Sequence, residues 1–155
     1  MKRRYYFDTS VFGGVFDEEF KKYSIQLFEQ VKRGRVVCLY SEVVERELEN
    51  APKHVIEYFD NLPSAYMKRL IISDEVRFAA DEYINKKVVG DTSYDDCLHL
   101  AIATVNYADA VTSWNFRHIV NSERIEGYNS VNLSLGYPEI RICSPLELFL
   151  NEKEN

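Results

Sequence analysis

Three cysteines, four prolines, six glycines and one tryptophan are few for a chain of 155 residues. Cys38, Cys97 and Cys143 are odd in number, far apart and set among apolar neighbours. They trace neither a zinc spacing nor a disulfide framework, so buried reduced thiols are expected. Sparse proline and glycine beside 46% hydrophobic residues exclude extended disorder and predict a globular protein. No apolar run approaches the length that crosses a bilayer. Nothing like a signal peptide follows the basic start Lys2-Arg3-Arg4, so a cytoplasmic protein with no membrane segment is expected. An excess of positive charge is also missing, since 25 acidic side chains face 19 Lys and Arg for a net charge of −6. That excludes a general nucleic-acid coat, which binds through clustered cations. It leaves room for a nuclease, whose metal centre needs acids of its own. Phosphate can then meet a local basic rim, for which Lys2-Arg3-Arg4, Lys32-Arg33 with Arg35, and Arg117 are candidates.

What the chain does contain is alternation of strand-like and helical runs, with no repeat or linker to divide it. A single domain over residues 1–155, with parallel strands joined by helical crossovers, is the expected organisation. Strands are read at residues 3–7, 36–40, 70–72, 110–113 and 140–142. Helices are read before Gly34, from Ser41 to about Asn50, around Val55 to Leu62, from Asp74 to about Lys87, from Ser93 to Tyr107, and from Ser144-Pro145 onward. Residues 126–138, rich in Gly, Tyr, Asn and Ser, read as a surface loop.

Asp8 closes the first apolar strand, at the edge where α/β folds gather their chemistry. On the helix from Ser41, a projection at about 100° per residue puts Glu47 within the apolar arc of Val43, Val44 and Leu48. Glu42, Glu45 and Glu49 fall on the opposite, solvent side. A buried carboxylate must be protonated, paired or bound to a cation. Asp95 and Asp96 open a helix whose body, Cys97 to Ala103, is apolar around most of its circumference. First-turn acids also favour a helix dipole, and Thr92-x-x-Asp95 or Ser93-x-x-Asp96 fits a capping box. Beside Asp8 and Glu47, one of the pair completes an acidic cluster. Asn115, after the fourth strand, offers a carbonyl oxygen to a metal or its water, or else forms a turn. His54, His99 and His118 show no zinc-ligand spacing. His99, three residues after Asp96, reads as a satisfied structural histidine or a support for that acid.

Four segments together resemble the PIN-domain nucleases: Asp8-Thr9-Ser10, Ser41 through Glu47-Leu48, Asp96-Cys97-Leu98-His99-Leu100-Ala101, and Ser113-Trp114-Asn115-Phe116-Arg117-His118. The resemblance runs in order along nearly the whole chain. It implies a three-layer α/β/α sandwich around a central parallel sheet. It also implies Mg²⁺- or Mn²⁺-dependent cleavage of RNA, often as the VapC-type toxin of a toxin–antitoxin pair. On that mapping Asp8, Glu47 and Asp96 are metal ligands and Asn115 completes the catalytic set, where many members carry Asp. Thr9, Ser10, Asp95 and Ser113 would support the ligands, and Arg117 would touch phosphate. An antitoxin protein and a second copy of the chain are the expected partners, because 11 Tyr and 9 Phe exceed what a core needs. An aspartyl-phosphate phosphatase is a weaker reading, since Ser10 stands where that chemistry needs a second Asp. A PIN-like module that binds RNA or protein without cutting is the alternative.

Overall fold

Parallel pairing of five short strands builds the centre of the molecule. The computed structural model describes residues 2–87, 90 and 92–154. The strands are β1 (Arg3–Phe7), β2 (Val36–Ser41), β3 (Met67–Leu70), β4 (Ala110–Thr112) and β5 (Arg141–Cys143). Their order across the sheet is β3-β2-β1-β4-β5, and every pairing is parallel. The helices are α1 (Thr9–Gly14), α2 (Lys21–Lys32), α3 (Glu42–Leu48), α4 (Lys53–Asp60), α5 (Asp74–Asn85), α6 (Tyr94–Val105), α7 (Ser122–Ser134) and α8 (Pro145–Glu154).

Alternation along each strand sorts side chains into two cores. Tyr6, Leu39, Val111 and Ile142 face one side and pack with Ala79, Ala80 and Tyr83 of α5, the body of α6, and Tyr128 and Val131 of α7. Tyr5, Phe7, Cys38, Ala110 and Cys143 face the other, with Phe12 of α1, Phe28 of α2, Val44 of α3, Val55 of α4 and Leu148 of α8. The chain therefore forms the three-layer α/β/α sandwich with a central parallel sheet. Its three thiols are buried and free.

Two glycines are required by geometry. Gly34, at φ +74°, reverses the chain after α2, a conformation that costs other residues a steric clash. At Gly14 a Cβ would lie 2.5 Å from Ser24 Oγ and 2.7 Å from Trp114 Nε1. Only glycine leaves room for the hydrogen bond that Trp114 Nε1 donates to Ser24 Oγ at 2.8 Å.

Two expectations are corrected. Residues 126–134 are not a loop, since α7 occupies Ser122–Ser134, and only 135–138 run on as turn and loop. The amide side chains that suggested turns are consumed by distant partners. Asn121 caps the helix by accepting from Arg124 N. Asn129 donates to Ile140 O and accepts from Ile140 N, while Asn132 accepts from the Tyr83 hydroxyl. The third strand is Met67–Leu70 rather than 70–72. Leu70 pairs with Ser41 at the strand end, and Ile72 N then turns to donate to Glu42 Oε1 at 3.1 Å.

Candidate metal centre

The sheet order reverses at β1, with β2 on one side and β4 on the other, which opens a crevice at their carboxyl ends. Asp8 follows β1 directly, and its backbone N–H donates to Thr112 O at 3.1 Å, tying it to the end of β4. The carboxylate is buried, at 5% exposure, and caps α1. Its Oδ2 accepts from Ser10 Oγ at 2.6 Å, Ser113 Oγ at 2.7 Å and Ser10 N at 3.3 Å. Those donors are themselves anchored, because Ser10 Oγ accepts from Trp114 N and Ser113 Oγ from Asn115 N, both at 2.9 Å. With Oδ2 satisfied, Oδ1 is left to meet His99.

Glu47 arrives from α3, which Ser41 caps by accepting from Val43 N at 3.1 Å. Burial of Val43, Val44 and Leu48 turns that face of the helix inward. Thr9 Oγ1 donates to Glu47 Oε1 at 2.7 Å, and His99 Nε2 lies 2.6 Å from the same oxygen. His99 Nε2 is also 3.3 Å from Asp8 Oδ1. Ionised carboxylates only accept, so Nε2 carries a proton and donates. On the other side of the ring, Nδ1 lies 2.7 Å from the Tyr6 hydroxyl, which lies 2.7 Å from Ser41 Oγ. Burial would pull the imidazole pKa down, yet the hydrogen bond to Glu47 and the charges of Asp8, Glu47 and Asp96 leave it raised. Burial pushes Glu47 up, but its hydrogen bonds from His99 and Thr9 and the charge of His99 leave it lowered.

Asp8, Glu47 and His99 each present one ligand atom within 4.8 Å of the others. Asp96 is not part of this tight group; it lies in the first turn of α6, where Ser93 Oγ accepts from Asp96 N at 3.2 Å. Burial raises its carboxyl pKa, and the charges of Asp8 and Glu47 raise it further, so it shares their field. Among the described residues no Lys or Arg forms an ion pair with Asp8, Glu47 or Asp96. Two carboxylates and an imidazole, with a third acid in their field, form a pocket rich in hard oxygen donors, which fits a divalent cation.

The remaining expected residues divide. Thr9, Ser10 and Ser113 hold the Asp8 and Glu47 carboxylates. Asp95 turns away, and its Oδ1 pairs with Arg46 Nη2 at 2.5 Å on the surface. Asn115 Oδ1 accepts from His118 N at 2.9 Å and so forms the turn after β4. Arg117 is exposed on that same turn. His99 was the residue undervalued in the sequence: it contacts Asp8 and Glu47 rather than bracing Asp96. Its one visible signal was a histidine inside a helix apolar on nearly every side, where burial demands partners on both ring nitrogens.

The sequence matches no protein-family model and no curated protein. Solved structures do match. VapBC from Salmonella typhimurium, in its DNA-bound form, superposes with a TM-score of 0.60 at 13% identity, over 94% of this chain and 99% of that one. VapC20 from Mycobacterium tuberculosis, a toxin that cleaves the sarcin-ricin loop, gives 0.59 at 12% identity over 88% and 98%. VapBC2 from Rickettsia felis, bound to a DNA fragment from their promoter, gives 0.57 at 12% identity over 91% and 98%. With its strand order and flanking helices, the chain has the PIN-domain fold of the VapC toxins, with an acidic pocket where the parallel sheet reverses its order.

Proposed function

We propose that this chain is a metal-dependent endoribonuclease that hydrolyses RNA phosphodiester bonds as the toxin of a toxin–antitoxin pair. One observation carries the reading: the carboxylates of Asp8 and Glu47 converge with His99 at the strand ends, Asp96 shares their field, and none of the three acids has a Lys or Arg ion pair among the described residues. Carboxylates crowded around a buried Asp8 in this way favour a cation. Asp8 Oδ1, Glu47 and Asp96 are the proposed ligands of Mg²⁺ or Mn²⁺. When bound, such an ion supplies positive charge to a phosphodiester oxygen and makes nearby water more acidic. The chain's own groups prepare the pocket. Ser10 and Ser113 fix Asp8 through Oδ2, Thr9 and His99 fix Glu47 through Oε1, and the Asn115 turn sets Arg117 at the rim to meet phosphate.

A toxin of the same fold cleaves the sarcin-ricin loop, which supports RNA as the substrate class. Two further structures of this fold are VapBC assemblies, which supports an antitoxin partner. Exposed Phe78, Ile71, Tyr94 and Leu133 supply apolar surface for that partner or for a homodimer. No helix among the described residues is long and apolar enough to cross a membrane.

The test is cleavage of labelled single-stranded RNA by the purified protein with Mn²⁺, with EDTA, and with the Asp8→Asn variant. Cleavage that needs Mn²⁺ and is lost in Asp8→Asn is the expected result. A second reading, binding without turnover, is favoured by Asn115, a neutral amide whose oxygen is already taken by His118 N–H. Equal RNA binding by both proteins with no cleavage by either would establish it instead.

A further inference from the structure

We propose that Phe116 is a stacking platform for one unpaired base of an RNA strand whose backbone crosses the acidic pocket. The inference rests on the nuclease reading and names how that site grips its substrate.

Phe116 is 48% exposed, so about half of a large flat ring is open to a partner. The ring is also rigidly presented. Asn115 O accepts from Ile119 N and Val120 N, Asn115 Oδ1 accepts from His118 N, and Asn121 Nδ2 donates to Phe116 O at 3.1 Å. Beneath it lies an aromatic base. Trp114 and Phe20 stack with centroids 4.3 Å apart at 15°, and Phe116 sits 6.2 Å from each. That base is wired to the pocket, since Trp114 N donates to Ser10 Oγ, which donates to Asp8 Oδ2.

Charge selects the occupant. Arg117, next in sequence, and Lys22, two residues after Phe20, are exposed and form no ion pair among the described residues. They offer cations near an apolar ring in the segments that carry it and its Phe20 neighbour, the pattern a single-stranded nucleic acid meets with phosphates outside and a base over the ring. Asp17, Glu18 and Glu19 lie just ahead of Phe20 and repel phosphate from that edge, so the backbone runs along the Arg117 side. The other exposed aromatics differ: Phe16 packs edge-on against His54 and Tyr58, Tyr107 packs against Tyr137, Tyr94 hydrogen-bonds Asp81, and Phe78 lies on α5.

The experiment measures binding of a labelled single-stranded RNA by fluorescence anisotropy, with Asp8→Asn as the common background to prevent cleavage. Phe116→Ala and Phe116→Leu should each weaken binding about tenfold or more, and Phe116→Tyr should stay within about twofold, as loss or retention of one stacked base requires. An abasic substitution at one position of the RNA should erase the difference in binding between the parent and the Phe116→Ala variant. Binding of Phe116→Leu equal to the parent, or a deficit that no abasic position erases, would overturn the platform. So would loss of self-association in sedimentation with RNA binding unchanged, since the ring would then be a protein interface. Cleavage by the Asp8-containing parent with Mn²⁺ separates the two ideas. If it cuts RNA while the Phe116 variants bind normally, only the platform falls; if it neither binds nor cuts RNA, both fall.

Discussion

His99 Nε2 donates across 2.6 Å to Glu47 Oε1, and that bond joins the third layer of the fold to the acidic pocket. The imidazole is fully buried and reaches Asp8 with the same nitrogen at 3.3 Å. It is the donor that bridges the two carboxylates, while its other nitrogen meets the Tyr6 hydroxyl, itself held by Ser41. Replacing it with alanine removes a buried ring and leaves Tyr6 and Glu47 each short of a partner. We expect His99→Ala to lose about 2–4 kcal/mol of stability in EDTA, read by urea denaturation. Mn²⁺ should restore part of that loss by supplying positive charge between the same carboxylates.

Asp8→Asn keeps a carbonyl oxygen for the Ser10 and Ser113 donors but turns an amide NH₂ toward the His99 proton. The variant should therefore fold, lose any rise in melting temperature on adding Mn²⁺, and cut RNA about a hundredfold more slowly or worse. A melting curve with and without Mn²⁺ checks the first two points, and a cleavage time course the third.

Asn115→Asp tests the neutral corner. A carboxylate oxygen can still accept from His118 N–H, so the turn should persist. The added charge should tighten Mn²⁺ binding, measured by isothermal titration calorimetry. Unchanged affinity would place residue 115 beyond the reach of the cation.

Much of this site was legible along the chain, for reasons that can be named. Asp8 directly follows β1 after an apolar run, and Glu47 sits on the covered arc of a helix capped by Ser41. Local pattern was enough for both. His99 could not be placed by pattern, because its partner Glu47 is 52 residues away and a buried histidine reads alike whether it serves a core or a site. Helix α7 was hidden because Gly127, Asn129 and Asn132 mimic loop composition, while the bonds that make them helical go to Ile140, Tyr83 and Thr104. The place of β3 depended on pairing with β2, which no single segment encodes.

Gly14→Ala should perturb the site from a distance. The added methyl would meet Ser24 Oγ and Trp114 Nε1, so Trp114 must shift, and its backbone N–H anchors Ser10 beside Asp8. A loss of about 1–3 kcal/mol in stability is expected from such overpacking. Reduced cleavage and a changed fluorescence spectrum of the single tryptophan should accompany it.

The thiols report on integrity of the fold. Burial pushes Cys97 up to about 12 and Cys143 up to about 11, and it raises Cys38 well above the ordinary thiol range. Thiolate is the reactive form, so at pH 8 the native protein should react slowly with a disulfide reagent. In urea all three thiols should react promptly. Rapid labelling of the native protein would contradict their burial.

Everything proposed for the pocket requires one divalent cation among the carboxylates at the strand ends. Anomalous scattering from a Mn²⁺-soaked crystal measures this directly. One strong peak is expected about 2.0–2.3 Å from Asp8 Oδ1 and a Glu47 oxygen, with Asp96 turned toward it directly or through water. Saturating Mn²⁺ with no peak in that pocket, and His99 still seated between the two acids, would contradict it.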